Sequence, residues 1–112
     1  MRLEAKKYLY DIQQAAGRAA AFTAGKGLAD YEQDAMLRAA VERQFEIIGE
    51  ALGQLSRLDE TLAARISERR RIIAFRNILI HGYADVDDRL VWDIVETKLP
   101  ALQREVSALL EE

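Results

Sequence analysis

The sequence has no cysteine, one histidine, one proline and one tryptophan in 112 residues. Without cysteine there is no disulfide, no thiolate nucleophile and no cysteine-built zinc site. A lone histidine excludes a multi-histidine metal site within one chain. A lone proline leaves almost the whole chain free to be helical. The longest apolar runs are a few residues, far short of the roughly 20 that a membrane-spanning helix needs. The amino terminus shows no signal-peptide pattern. These absences predict a soluble, cytoplasmic protein without a metal or cofactor. Strand-like alternation of apolar and polar residues is also missing.

What is present is a helix-forming composition. Half of the residues are apolar and 31% are charged, a globular balance, and the length suits one domain spanning residues 1–112. The 3.6-residue period recurs throughout. Leu9, Ile12, Ala16, Ala19 and Ala20 make one apolar stripe, which predicts a first helix over about residues 3–23. Gly25-Lys26-Gly27 ends it. Asp30 is placed to cap a second, long helix over about residues 31–56, whose core face is Leu37, Val41, Phe45, Ile48, Leu52 and Leu55. A short segment at residues 59–67 is anchored by Leu62 and Ile66. A third major helix runs over about residues 68–80 with Ile72, Phe75, Ile78 and Leu79 inward, and Gly82 terminates it. Asp85 or Asp87 caps a last helix through Val91, Val95, Leu99, Leu102, Val106 and Leu109, which Pro100 kinks or splits. Short connections between long helices predict an all-α, up-and-down bundle of four main helices plus a short one.

Net charge is −3, which argues against general coating of nucleic acid. The arginines are nevertheless unevenly placed. Arg65, Arg69, Arg70, Arg71 and Arg76 crowd the approach to the one histidine, His81. Such a run is either a solvated helix face or a local phosphate-attracting patch, in which Arg69, Arg70 and Arg71 are candidate RNA contacts. Glu42, Glu46 and Glu50 recur every four residues; a di-metal bundle site requires Glu-x-x-His motifs that this chain lacks, so an acidic solvated or interface stripe is expected. Trp92 reads as packing rather than as a base-stacking platform.

The chemistry concentrates in Arg76-Asn77-Ile78-Leu79-Ile80-His81-Gly82-Tyr83. Histidine exchanges protons near neutrality, and the planar guanidinium matches a phosphate. On an unbroken helix five residues separate Arg76 and His81 by roughly 140°. They share a target only if the helix loosens near Gly82 or if a second chain brings its own copy alongside. His81 then handles the proton of an RNA 2′-hydroxyl or of the leaving 5′-oxygen, Arg76 stabilises the charge on phosphorus, and Asn77 orients phosphate or imidazole.

The run Phe75-Arg76-Asn77-Ile78-Leu79-Ile80-His81-Gly82-Tyr83, with Val91-Trp92-Asp93-Ile94-Val95-Glu96 and Leu99-Pro100 after it, resembles the HepT-like branch of the HEPN superfamily. Glu46-Ile47-Ile48-Gly49-Glu50-Ala51 and Tyr8-Leu9-x-Asp11-Ile12 are similar to its upstream signatures, so the resemblance spans nearly the whole chain. It implies a homodimeric, all-α, metal-independent ribonuclease that acts as the toxin of a type VII-like toxin–antitoxin pair. The composite cleft would use Arg76, His81 and Asn77, leaving a 2′,3′-cyclic phosphate on the RNA. It also implies a partner, a minimal nucleotidyltransferase, that adenylylates Tyr83 and silences the nuclease. In place of the family's proline- and tryptophan-containing approach to the motif stand residues 64–71, which implies a reshaped loop. The rival expectation is a non-catalytic helical subunit that presents substrates to a nucleotidyltransferase.

Overall fold

The computed structural model describes residues 1–112 as seven α-helices and one 3-10 turn: α1 Leu3–Thr23, α2 Leu28–Gln33, α3 Ala35–Leu58, α4 Glu60–Ala63, α5 Arg69–His81, the turn Tyr83–Asp85, α6 Asp88–Thr97 and α7 Leu99–Leu110. The all-α class is as expected, and no strand is present. α3 is the spine, with α1 packed along one side and α5 along the other; α7 lies on α1, and α6 joins α2, α1 and α7.

The six spine positions expected to face inward, Leu37, Val41, Phe45, Ile48, Leu52 and Leu55, are all buried. Twenty-eight buried residues form one contiguous hydrophobic core. Phe45 of α3 meets Phe75 of α5 edge to face, with ring centroids 5.4 Å apart, a favoured aromatic geometry. α1 ends where Gly25 takes φ +73°, a left-handed backbone that glycine adopts at least cost.

Three local expectations are corrected. The long second helix is two helices, because Asp34 leaves the helical region and its carboxylate accepts from the Leu37 amide at 3.0 Å, capping α3. A short acidic side chain that bonds the backbone competes with helix continuation. Asp30 therefore does not cap a long helix; it sits in the first turn of α2 and accepts from the Gly27 amide at 2.8 Å. The break turns Tyr31 fully into the core, where its ring lies 5.4 Å from that of Trp92. Gly82 ends α5 as expected, at φ −114° and with its amide donating to the Ile78 carbonyl. Ile78 is 44% exposed and not part of the core.

The carboxy-terminal half follows the remaining expectations. Asp87 caps α6 by accepting from the Arg89 amide at 2.9 Å, while Asp85 lies in the 3-10 turn. Pro100 splits the last helix and falls in the first turn of α7, where a missing N–H costs nothing. Residues 64–68, between α4 and α5, are tied down by polar contacts. Ser67 Oγ donates to Glu105 at 2.9 Å, Arg65 pairs with Glu112, and Lys98 lies 3.7 Å from Glu68.

Glu42 is the strained charge of this fold. Its half-burial and the neighbouring Asp88 and Glu46 hold its carboxyl above the usual range, with Arg38 opposing them. An acid whose folded value is raised binds its proton more tightly in the fold, so its ionisation destabilises as pH rises through that window. Glu42→Gln is expected to raise Tm at pH 7, and the advantage over wild type is expected to vanish below the unfolded value of 4.5. Thermal unfolding of both proteins across pH checks this; an advantage that persists unchanged into acid contradicts it.

Candidate active site

The rotation of α5 decides where every motif residue points. Ile72, Phe75 and Leu79 are buried, which fixes the helix with those positions toward the core. Arg76 then falls on the flank facing α3. The approach there is very close: a Cβ built on Gly49 would lie 2.2 Å from Arg76 Cβ and 2.6 Å from its Cγ. Only a residue without a side chain lets the arginine stem pass. The guanidinium is held at both ends, Nη2 donating to Glu50 Oε2 at 2.8 Å and Nη1 to Asn77 Oδ1 at 3.2 Å. Its Nε is buried without an acceptor.

His81 is the last residue of the same helix, which stays α-helical to its end. The imidazole is exposed and makes no hydrogen bond within the chain. At 100° per residue it points roughly 140° away from Arg76, on the face shared with Arg70, Ala74 and Asn77. The helix does not loosen to bring the two together. One chain therefore presents Arg76 and His81 on two different faces.

Tyr83 follows on the 3-10 turn, 78% exposed. Of the three consecutive arginines, Arg70 and Arg71 are exposed, whereas Arg69 is buried and clasped by Glu60 at 2.9 and 2.6 Å. That bidentate pair holds the Glu60 carboxyl below its usual range. The guanidinium of Arg69 is thus engaged in joining α5 to α4, and of the three only Arg70 and Arg71 are exposed.

Beside Arg76 lies a groove of about 460 Å³ between α1, α3 and α5, whose walls include Tyr8, Arg43, Glu46 and Ile80 but not His81. On the other flank of α5 a smaller, apolar recess of about 180 Å³ is formed with α6 by Ala74, Phe75, Ile78, Leu90 and Ile94, with Arg71 at its edge. The sequence reading missed the Glu50 clasp, the Gly49 passage and this groove. A glycine inside an otherwise regular core-facing helix was the one available sign of close approach.

A model of the family "Ribonuclease HepT-like" matches residues 12–109. Among similar curated proteins, "Probable ribonuclease HepT" of Thermococcus cleftensis is 34% identical over 103 residues, covering 92% of this chain and 93% of that one. "Putative RNase MJ1380" of Methanocaldococcus jannaschii is 33% identical over 103 residues, covering 92% and 94%. A longer M. jannaschii protein, "Gamma-glutamylcyclotransferase and putative RNase MJ0434", is 32% identical over all of this chain, which matches half of its length. No solved structure matches. The chain belongs to the HepT-like ribonuclease family of the HEPN superfamily. No helix is long and apolar enough to cross a membrane.

The close passage at Gly49 generates a direct prediction. Gly49→Ala is expected to push α5 off α3 and to cost about 1–3 kcal/mol, the usual range for overpacking. Denaturant unfolding measures it; an unchanged midpoint would show that the two helices are not held this closely.

Proposed function

We propose that the protein is a metal-independent endoribonuclease whose active site forms between two copies of the chain. The observation that carries this reading is the divergence of Arg76 and His81 on one unbroken helix, since neither alone supplies both charge and proton transfer. Support comes from the exposed Ile78 and the apolar recess between α5 and α6, which lie on the flank next to His81. A second copy related by a twofold axis has a surface to cover there and brings a second motif alongside.

In this cleft one His81 takes the proton of the RNA 2′-hydroxyl. The 2′-oxygen attacks phosphorus, the bond from phosphorus to the 5′-oxygen breaks, and a water molecule returns a proton to the leaving oxygen. The product ends are a 2′,3′-cyclic phosphate and a free 5′-hydroxyl. Arg76, freed from Glu50 by the incoming phosphate, stabilises charge on the phosphorane-like transition state. Asn77, on the His81 face and bonded to Arg76, orients phosphate or imidazole. Arg70 and Arg71 draw the RNA backbone toward the motif.

Tyr83 is the control point in the same proposal. Its phenol stands free beside His81, open to a cognate nucleotidyltransferase antitoxin in the cytoplasm. Tyr83 Oη attacks the α-phosphorus of ATP and pyrophosphate leaves. The attached AMP sets bulk and negative charge where an RNA phosphate docks. The rival reading, a non-catalytic subunit that presents substrates to a nucleotidyltransferase, draws on one observation: in the free chain Arg76 is already satisfied by Glu50 and Asn77.

Growth and RNA integrity separate the two. Expression of the wild type without any partner is expected to arrest growth and degrade RNA, while His81→Ala or Arg76→Ala lowers cleavage by at least about 100-fold. Harmless wild-type protein with intact RNA sinks the nuclease reading. Incubation with the cognate nucleotidyltransferase and ATP is expected to add the mass of one AMP to the wild type and none to Tyr83→Phe. An equal gain in both proteins would place the modification elsewhere.

A further inference from the structure

The groove between α1, α3 and α5 is distinct from the His81 face, and Arg76 forms one of its walls. Its charges are already partly neutralised from within. Lys7 pairs with Asp11 at 3.3 Å, and Glu50 holds Arg76. This leaves Arg43 and Glu46 as one cation and one carboxylate of the groove without an ion-pair partner, three residues apart on the same face of α3. The half-buried ring of Tyr8 on α1 and the apolar side chains of Ile47 on α3 and Ile80 on α5 line the same groove. The Lys7 ammonium lies 5.3 Å from the centroid of the Tyr8 ring.

The apolar side chains of Tyr8, Ile47 and Ile80, one free carboxylate, one free guanidinium and a volume of about 460 Å³ complement a single nucleotide. Its base requires an apolar or aromatic face, its edge requires hydrogen-bond partners, and its phosphate requires a cation. The carboxylate also discriminates between bases. An ionised carboxylate only accepts, and it accepts best from two parallel donors. Guanine presents N1–H and N2–H side by side on its Watson–Crick edge. Uracil presents one N–H between two carbonyl oxygens that a carboxylate repels, while adenine and cytosine offer one amino group beside an acceptor.

We propose that this groove is a guanine-preferring nucleotide subsite for the RNA strand, with Glu46 reading the base edge, Tyr8 and Ile47 contacting its face and Arg43 holding the adjoining phosphate. It deepens the ribonuclease reading and rests on it for the identity of the ligand as RNA. Arg76 links the two regions: its stem borders the groove, and its guanidinium serves the scissile phosphate. The nucleotide in the groove is therefore the immediate neighbour of the bond that is cut.

The test is direct binding of 5′-GMP and 5′-UMP to the isotope-labelled full chain, followed by amide chemical shifts. GMP is expected to shift Tyr8, Glu46, Ile47 and Ile80 and to bind about tenfold more tightly than UMP. Glu46→Gln is expected to abolish the preference with the fold intact, as read from its own spectrum, and Arg43→Ala to weaken both nucleotides alike. Shifts confined to other faces, equal binding of GMP and UMP, or an undiminished preference in Glu46→Gln would each overturn the proposal. Cleavage of a fluorescent oligoribonucleotide is followed separately. A protein that cuts RNA while its groove ignores GMP refutes the subsite and leaves the nuclease standing. A protein that binds GMP in the groove and never cuts RNA supports the binding site and refutes the nuclease.

Discussion

The contact between α3 and α5 sets the geometry of everything else in this molecule. Phe45 against Phe75 anchors it in the core, and Gly49 lets the Arg76 stem pass where any side chain would collide. Together they fix the rotation of α5 about its axis. Once that rotation is set, the helical period alone places Arg76 on the α3 flank and His81 on the outer face. Interiors this tightly packed do not deform continuously, so the two motif residues stay apart in the single chain.

The same contact organises the charges. Arg76 lies in the seam between two helices and is clasped by Glu50, so a phosphate must compete with a carboxylate for it. That exchange is unfavourable for a weakly bound anion and favourable for a phosphate gripped elsewhere as well. Arg69, two turns earlier, is committed to Glu60 and holds α4 against α5. An acidic chain with net charge −3 thus keeps its phosphate-attracting groups local and partly occupied. This arrangement favours selective engagement over general adhesion to nucleic acid.

Much of this was legible in the sequence, and the reasons differ by element. The core stripe from Leu37 to Leu55 obeys one period for five turns and admits no other reading. Pro100 and Asp87 act through covalent geometry and a short-range bond, so their effects are visible locally. The break at Asp34 was not visible, because the apolar stripe begins only at Leu37 and the burial of Tyr31 against Trp92, far apart in sequence, rewards the bend. Ile78 read as core from its side chain, yet its position on the helix puts it outward. Glu50 and Arg76 are 26 positions apart, and their pairing depends on the Gly49 passage. The stripe of Glu42, Glu46 and Glu50 read as one solvated or interface face; Glu50 clasps an arginine, Glu46 edges a groove, and Glu42 is half-buried near Tyr31.

The central claim is that one copy's Arg76 works with another copy's His81. It is tested by mixing two inactive chains, Arg76→Ala and His81→Ala, after unfolding and refolding them together. Random pairing makes half of the dimers mixed, each with one intact combination, so about a quarter of wild-type RNA cleavage is expected to return. A mixture shown by native mass to contain the mixed dimer, yet no more active than either parent, would contradict the account.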